Sequence, residues 1–205
     1  LCFQPGPAVN KRGVFQGGQF VTVSFASIID GTSNTILASE GIIDSDVSAD
    51  ALKKRRKGGV VRADVGTSVN PSVCIAAGVP DSDDPNLIAT GYTCTQAYRM
   101  PGGAFGSGFL QAYFHTEMAP NTPWCARYEN WPDDNTGMAS ASSYHSGGVN
   151  VAMVDGSVRF VSDTIDIGSP SSTIPGPDYQ NMIGESLWGI WGAMGTINGG
   201  ESKSM

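Results

Sequence analysis

Two runs of β-favouring residues flank a single Asp-Gly pair in the last third of the chain. They are residues 149–154 and 157–161, which are rich in Val, and only Asp155 and Gly156 separate them. An Asp-Gly pair favours the two-residue type I′ turn of a β-hairpin, because both turn residues then need a positive φ. The pattern therefore predicts a β-hairpin that turns at Asp155-Gly156.

A two-residue turn also sets the pairing of the two predicted strands. Met153 would face Val158, and Val151 would face Phe160, since residues directly opposite each other share a face of the sheet. One face would then carry large apolar side chains and form a wall of the core: Val149, Val151, Met153, Val158 and Phe160.

His145 precedes the Asp-Gly pair by nine residues, a spacing that suggests a metal site or an acid-base pair. Ten extended residues span about 30 Å at ~3.3 Å per residue, so the two side chains would lie at opposite ends of the hairpin. We therefore expect a structural role for His145, a hydrogen bond that orders the base of the hairpin. A continuous ladder would place it opposite Asp166, unless Gly147-Gly148 ends the ladder first.

Patterns elsewhere predict further short elements. Alternation of apolar and polar residues over 19–25 predicts a strand. Residues 26–30 are predicted to form a short helix or turn that ends at Asp30-Gly31, and residues 35–39 are predicted to form another strand. Apolar residues at helical spacing over 182–196 predict a helix, although its four glycines weaken it by about 1 kcal/mol each relative to Ala. That helix needs a partner, and the hairpin wall is preferred over a neighbouring subunit.

Composition places these elements in a β-rich α+β fold, an antiparallel sheet with hairpins, long loops and few short helices. Only 15% of residues are charged, while 27 are Gly and 12 are Pro, which suits short strands and tight turns. A length of 205 residues predicts a single domain, 1–205, with loop excursions at about 44–59, 78–91 and 168–180. Low charge is typical of a loop-rich secreted domain and equally of a subunit covered by its neighbours.

The charge and hydropathy patterns exclude two classes of partner. A net charge of −7 argues against nucleic acid, whose binding depends on neutralised phosphates. No apolar run approaches the ~20 residues of a membrane span. The basic run at residues 53–57 is expected to be a solvated loop or short helix, to pair with an acidic patch of a neighbouring subunit, or to bind an acidic surface polymer.

Four cysteines allow three disulfide connectivities. They are Cys2, Cys74, Cys94 and Cys125, and none of their spacings matches a zinc ribbon or a haem attachment site. An exported protein would oxidise such thiols. The preferred pairing is Cys74 with Cys94, which would close the loop holding the acidic run, and Cys2 with Cys125.

Candidates for chemistry are sparse. Asp81, Asp83 and Asp84 form an acidic run that could bind Ca²⁺ through converging carboxylates, or lie solvated in a turn, and no other cofactor is indicated. His115 and Glu117 form a lone His-x-Glu, which is weak evidence for acid-base catalysis, and His115 is expected to be hydrogen-bonded or exposed. No nucleophile, base and orienting group can be assembled, so the sequence predicts a protein that is not an enzyme.

Four blocks of the chain resemble one known family. The run from His145 to Phe160 is similar to the signature of a prepilin-processing-associated domain, which is named for a His, nine residues and an Asp-Gly pair. Three further blocks are similar to the same family, in its order: residues 28–40, 119–125 and 187–201. The resemblance implies a planctomycete-type, pseudopilin-like globular domain of unknown function. The basic leader, processing site and apolar helix usual in that family are absent, so we expect a processed or truncated globular part, or a member without that stem.

Composition and resemblance together favour an exported, extracellular or cell-surface structural subunit. It would associate with copies of itself into a pilus-like filament, a tube or a surface layer. The alternative is a secreted module that binds polysaccharide or calcium-bridged cell-surface material, which rests on the acidic run and on the aromatic residues between positions 99 and 131.

Overall fold

A computed structural model describes the chain over residues 12–15, 22–43, 55–62, 70–89, 114–126, 137–172 and 184–200. Its strands are β1 (Ile36–Ser39), β2 (Val60–Arg62), β3 (Trp124–Ala126), β4 (Gly137–Met138), β5 (Gly148–Met153) and β6 (Val158–Ser162). Its helices are a 3₁₀ turn at Phe25–Ser27, α1 (Pro71–Ala77) and α2 (Gly189–Met194). The predicted β-rich α+β class is confirmed, with short helices and an antiparallel sheet.

The first sheet has the strand order β1-β5-β6, and both of its pairings are antiparallel. β5 pairs with β1 from Ile36 opposite Met153 to Ser39 opposite Val151, with an irregularity between Ile36 and Ala38. β5 and β6 form the predicted hairpin. The central strand therefore comes from the segment with the strongest β pattern in the sequence.

The predicted hairpin turn is wrong by one residue. Val158 pairs with Ala152, and the Met153 N–H donates to the Ser157 carbonyl over 2.8 Å, so the loop holds three residues. The Gly156 N–H closes a turn onto the Met153 carbonyl, and among the described residues of this loop only Gly156 has a positive φ, of 85°. This is the three-residue loop in which a type I turn precedes a left-handed glycine.

The shift in register exchanges the two faces of β6. Val149, Val151 and Met153 are fully buried as predicted, but their partner on β6 is Val161, which is also fully buried. Val158 and Phe160, predicted to be in the core, lie on the outer face and are 67% and 51% exposed. A one-residue slip has this effect because successive side chains in a strand point to opposite faces.

The second sheet has the order β2-β3-β4 and mixes a parallel pair, β2 with β3, with an antiparallel one. α1 packs beside it and starts at an N-cap, where the Asn70 side chain accepts from the Ser72 N–H over 3.1 Å. Pro71 at the first helical position needs no N–H partner. A disulfide joins Cys74 on α1 to Cys125 on β3.

That disulfide corrects the predicted pairing of the cysteines. Cys74 bonds to Cys125 and not to Cys94, and Cys125 is therefore not the partner of Cys2. Cys2 and Cys94 lie outside the described residues. Spacing along the chain did not reveal that α1 packs against β3.

Two apolar clusters fill the described body. One contains Val61, Ile88, Met118 and the disulfide, and the other contains the hairpin wall with Phe114 and Trp191. α2 follows Trp188 of the first cluster and supplies Trp191 and Met194 to the second. The prediction that the C-terminal segment packs on the hairpin wall is confirmed.

α2 is shorter than the predicted helix over 182–196. Gly184 and Gly189 have positive φ values of 92° and 55°, so a continuous helix cannot run through them, and Gly189 is the first residue of α2. Near the other end of the chain, residues 22–24 are not in a strand, so the described part of the strand predicted over 19–25 is wrong. The turn predicted over residues 26–30 and the strand after it are present.

Of the predicted loop excursions, the described parts are turns and isolated bridges. Arg55 bridges Leu87, so the first two excursions lie side by side, and Pro80 bridges Ile88 within the second. Residues 44–54, 90–91 and 173–180 lie outside the described residues. No helix in the described segments is both long and apolar enough to cross a membrane.

Candidate functional site

The base of the hairpin is held by the carboxylate of Glu40, which follows β1. Its Oε2 accepts from the Asn150 N–H over 2.9 Å, and its Oε1 accepts from the Asn150 side-chain amide over 3.0 Å. His145 Nε2 lies 3.2 Å from Oε1 and donates to it, since a carboxylate only accepts. The predicted structural hydrogen bond of His145 is therefore present, and its partner is Glu40.

The charge of Glu40 is stabilised where it lies. Burial opposes it, but hydrogen bonds from the backbone and side chain of Asn150, then from Ser143, and the charge of His145 together hold the pKa of Glu40 below its ordinary value. An ionised carboxylate accepts stronger hydrogen bonds than a neutral group. Glu40 thus acts as a fixed anion that joins β1, β5 and the segment before the hairpin.

The histidine and the Asp-Gly pair do not form a site together. His145 bonds at the open end of the hairpin, while Asp155 Oδ1 accepts from the Ser157 N–H and hydroxyl at the turn. Gly147, with a φ of 79°, ends the ladder, so His145 does not reach a position opposite Asp166. Asp155 and Gly156 shape the turn.

Asn121 ties a second block of the chain to the hairpin base. Its amide nitrogen donates to Asp163 Oδ1 over 2.7 Å and to the Gly148 carbonyl, and its amide oxygen accepts from the Ser143 N–H over 2.8 Å. Asn121 has a φ of 62°, the only positive φ of a described residue other than Gly. Asn tolerates a positive φ better than most residues, which explains why Asn occupies position 121.

A groove of about 700 Å³ opens beside this base. Three cationic residues, Arg55, Arg56 and Lys57, line it together with two carboxylates, Asp84 and Asp163. Tyr144 completes the wall, with the guanidinium carbon of Arg55 6.0 Å from the centre of its ring. The Lys57 ammonium donates to the His145 carbonyl over 2.9 Å, so the groove and the hairpin base share a boundary.

The basic residues of the groove are the described end of the basic run noted in the sequence. The Arg56 N–H donates to the Asn86 carbonyl over 2.8 Å, and Arg55 bridges Leu87, so the loop over 81–89 fixes their backbone. In the part of the chain that the structure describes, neither guanidinium forms an ion pair. Arg56 Nε is buried without a hydrogen-bond partner there.

At the opposite end of β1, the buried carboxylate of Asp30 holds the C-terminal segment. Its oxygens accept from the Thr196 hydroxyl over 3.0 Å and from the backbone N–H groups of Gly199 and Gly200 over 2.6 and 2.9 Å. Gly31 follows with a φ of 97°, which only glycine adopts readily. Asp30-Gly31 is thus a connection between two distant blocks of the sequence.

The acidic run forms a turn stabilised by its own carboxylates. Asp81 Oδ1 accepts from the backbone N–H groups of Asp83 and Asp84, and Asp84 Oδ1 accepts from the backbone and side chain of Asn86. Within the described ranges, no three His, Cys, Asp or Glu side chains come close enough to hold a metal ion. The calcium site at Asp81, Asp83 and Asp84 stays a prediction.

His115 and Glu117 are both buried, with His115 Nδ1 3.9 Å from Glu117 Oε2. Nδ1 accepts from the Ala139 N–H over 3.0 Å, so of the two environments predicted for His115 the hydrogen-bonded one is present. Burial lowers the pKa of His115 to about 3 and raises the pKa of Glu117 to about 8. Both groups are therefore uncharged at neutral pH, inside the core.

Sequence reasoning missed the residues that join these features. Glu40, Asn121 and Asn150 lie inside the blocks that resemble a known family, but nothing in their spacing shows that they converge. Tyr144 and Asp163 flank the hairpin and belong to no pattern. Of the aromatic residues between positions 99 and 131, Phe114 and Trp124 are buried, and the others lie outside the described residues.

The fold and site define a β-rich α+β domain in which a disulfide joins Cys74 to Cys125, and carboxylate and amide groups connect distant blocks of the sequence. A family model for proteins of unknown function, DUF1559 (SBP_bac_10), matches residues 3–168. Because the match covers well over half of the chain, the chain belongs to that family. Neither the curated proteins nor the solved structures contain a match.

Proposed function

We propose that the chain is an exported, non-enzymatic structural subunit that associates with copies of itself at the cell surface or outside the cell. The assembly would be a pilus-like filament, a tube or a surface layer, in keeping with the resemblance to pseudopilin-like domains that carry a His-x9-Asp-Gly signature. The open edge of the first sheet, at β6, is the observation that carries the proposal.

β6 presents backbone groups at the edge of its sheet. Met153 and Ser157 form a hydrogen-bonded pair, and such pairs recur at every second residue of an antiparallel ladder, so the next is Val151 with Arg159. The residues between them on β6 have the opposite orientation. The N–H and C=O groups of Val158 and Phe160 therefore point away from β5. No backbone group in the described segments bonds to them. An edge of this kind is a template for another strand.

The side chains of β6 also suit contact with another copy. Val158, Phe160 and Ser162 form its outer face, which carries no charged group, and Arg159, the one charged residue of β6, belongs to the other face. The other edge of the sheet differs, because Glu40 and Ile42, beyond β1, bond to Ser142. An apolar edge strand in one copy is complementary to the same edge in a second copy, related by a two-fold axis.

A contact between two β6 strands closes on itself, so a filament or layer needs a second surface. Phe25 and Ile29 are the best candidates in the described body, since they are 74% and 68% exposed beside the Asp30 connection. The disulfide between Cys74 and Cys125 supports an oxidising compartment, as expected for an exported protein.

The test compares the wild type with Val158→Lys and with Val79→Lys, a matched control. Val79 is an exposed valine after α1, so the control makes the same chemical change away from β6. Light scattering and electron microscopy over a concentration series should show assemblies for the wild type and the control, and smaller species for Val158→Lys. A wild type that stays monomeric at its highest soluble concentration would contradict self-assembly, and an unaffected Val158→Lys would exclude the β6 edge.

A further inference from the structure

We infer that the groove bounded by residues 55–57 and Tyr144 is a binding site for an acidic saccharide, a sugar chain that carries carboxylate groups. The inference is independent of the self-assembly proposed above, since the groove does not include β6. The ligand class follows from the charged and aromatic side chains that line the groove.

The cationic wall is suited to isolated carboxylates. Arg55 and Arg56 present guanidinium groups without an ion-pair partner in the described part of the chain, and a guanidinium binds a carboxylate through two parallel hydrogen bonds. The backbone of both residues is fixed by its pairing with residues 86 and 87.

Two carboxylates in the lining of the groove argue against a ligand with dense negative charge. Asp84 and Asp163 line the same groove, and each uses Oδ1 to accept from an asparagine amide. Carboxylates repel a polyphosphate but accept hydrogen bonds from hydroxyl groups. A sugar chain that carries both carboxylates and hydroxyls matches the cationic and the acidic groups of the groove.

Tyr144 supplies the third element of the site. It is 67% exposed at the groove, although an aromatic ring of this size usually buries most of its area. The guanidinium carbon of Arg55 lies 6.0 Å from the centre of the ring, and the neighbouring His145 bonds to Glu40 at the hairpin base. An exposed aromatic ring can pack against the C–H face of a sugar ring, and an acidic peptide has no such face.

The experiment measures binding of tetragalacturonic acid by calorimetry, at a concentration where light scattering shows monomers. We expect binding that weakens with added salt, and at least about ten-fold weaker binding of the uncharged cellotetraose. Arg56→Gln and Tyr144→Ala should each weaken the uronate binding about ten-fold. Arg159→Gln is the matched control, because Arg159 lies on β6 outside the groove, and it should leave binding unchanged.

Each other outcome overturns the inference. No binding of tetragalacturonic acid by the wild type would exclude the site, and this comparison requires no variant to fold. Equal binding of cellotetraose would exclude the cationic wall as the determinant. Octaglutamate that binds as tightly as the uronate would assign the groove to acidic protein segments, and unchanged binding in both groove variants would place the ligand elsewhere.

Discussion

The two sheets of the molecule are stabilised by different means. The β1-β5-β6 sheet has strands of four to six residues and buries Val149, Val151, Met153 and Val161 completely against Trp191 and its neighbours. The β2-β3-β4 sheet has strands of two or three residues, and a disulfide anchors its central strand to α1. Longer strands with one buried face specify their own register, whereas very short strands need an external constraint.

The difference predicts that the two sheets respond separately to damage. Apolar packing stabilises the first sheet, so substitutions of side chains that fill its core should destabilise it most. The disulfide stabilises the second sheet, so loss of that one bond should destabilise it most. Three experiments test this contrast, from the largest expected loss of stability to the smallest.

Trp191→Ala should cause the largest loss, of about 4–5 kcal/mol in the free energy of unfolding, measured by chemical denaturation. The side chain is fully buried under the hairpin, and its indole N–H donates to the Met118 carbonyl over 2.9 Å. Amide exchange should accelerate first in β5 and β6. The control is Leu187→Ala, at a neighbouring and partly exposed position. Equal losses for the two variants would contradict the importance of the wall.

Replacing both Cys74 and Cys125 by Ser should cost about 4 kcal/mol, because the bond closes a loop with a sequence separation of 51 residues. Amide exchange should accelerate in β2 and β3 while β5 and β6 keep their protection. Reduction of the wild type by dithiothreitol is the matched treatment, and it should have no effect on the double variant. Uniform loss of protection across both sheets would show that the sheets do not respond separately.

The buried pair of His115 and Glu117 should give a smaller, pH-dependent effect on stability. The pKa of Glu117 is raised to about 8 in the folded state, so the folded state binds its proton more tightly than the unfolded state. Stability should therefore fall by roughly 1–2 kcal/mol as the pH rises from 6.5 to 8. The pKa of His115 is lowered to about 3, so for this group the unfolded state binds the proton more tightly. Its contribution to stability is therefore present at neutral pH and is lost as the pH falls below about 6.5.

Denaturant unfolding of the wild type and of Glu117→Gln over pH 5–9 checks this effect. The glutamine variant keeps the shape of the side chain and cannot ionise, so the loss of stability above pH 6.5 should disappear. If both proteins show the same pH profile, the ionisation of Glu117 does not contribute.

The hairpin shows how far the sequence can predict this fold. The Val-rich runs and the Asp-Gly pair are local signals, and they identified both strands correctly. The same pair also fits a three-residue loop in which only Gly156 has a positive φ, and local sequence does not separate the two turns. Packing favours the three-residue loop, because its register places Val161 in the core with Trp191 and Met194 of α2. The same register places the Phe160 ring over Gly148.

The candidate site was less predictable than the fold. Glu40 and Asn150 are 110 positions apart in the sequence, and Cys74 and Cys125 are 51 apart. Each pair meets only because strands and a helix bring it together, and no periodicity encodes such a contact. Resemblance to a family marked the blocks that contain Glu40, Asn121 and His145, but it did not assign their partners.

The hydrogen bonds near Asp30 have a mechanical consequence. The Ile197 N–H donates to the Arg12 carbonyl, and the Ile197 carbonyl accepts from Ile29, so the first and last described segments meet at one corner. A pulling force applied through these two segments would act across that corner and would bypass the hairpin. Under such a force the molecule would yield by peeling at this corner before its sheets sheared.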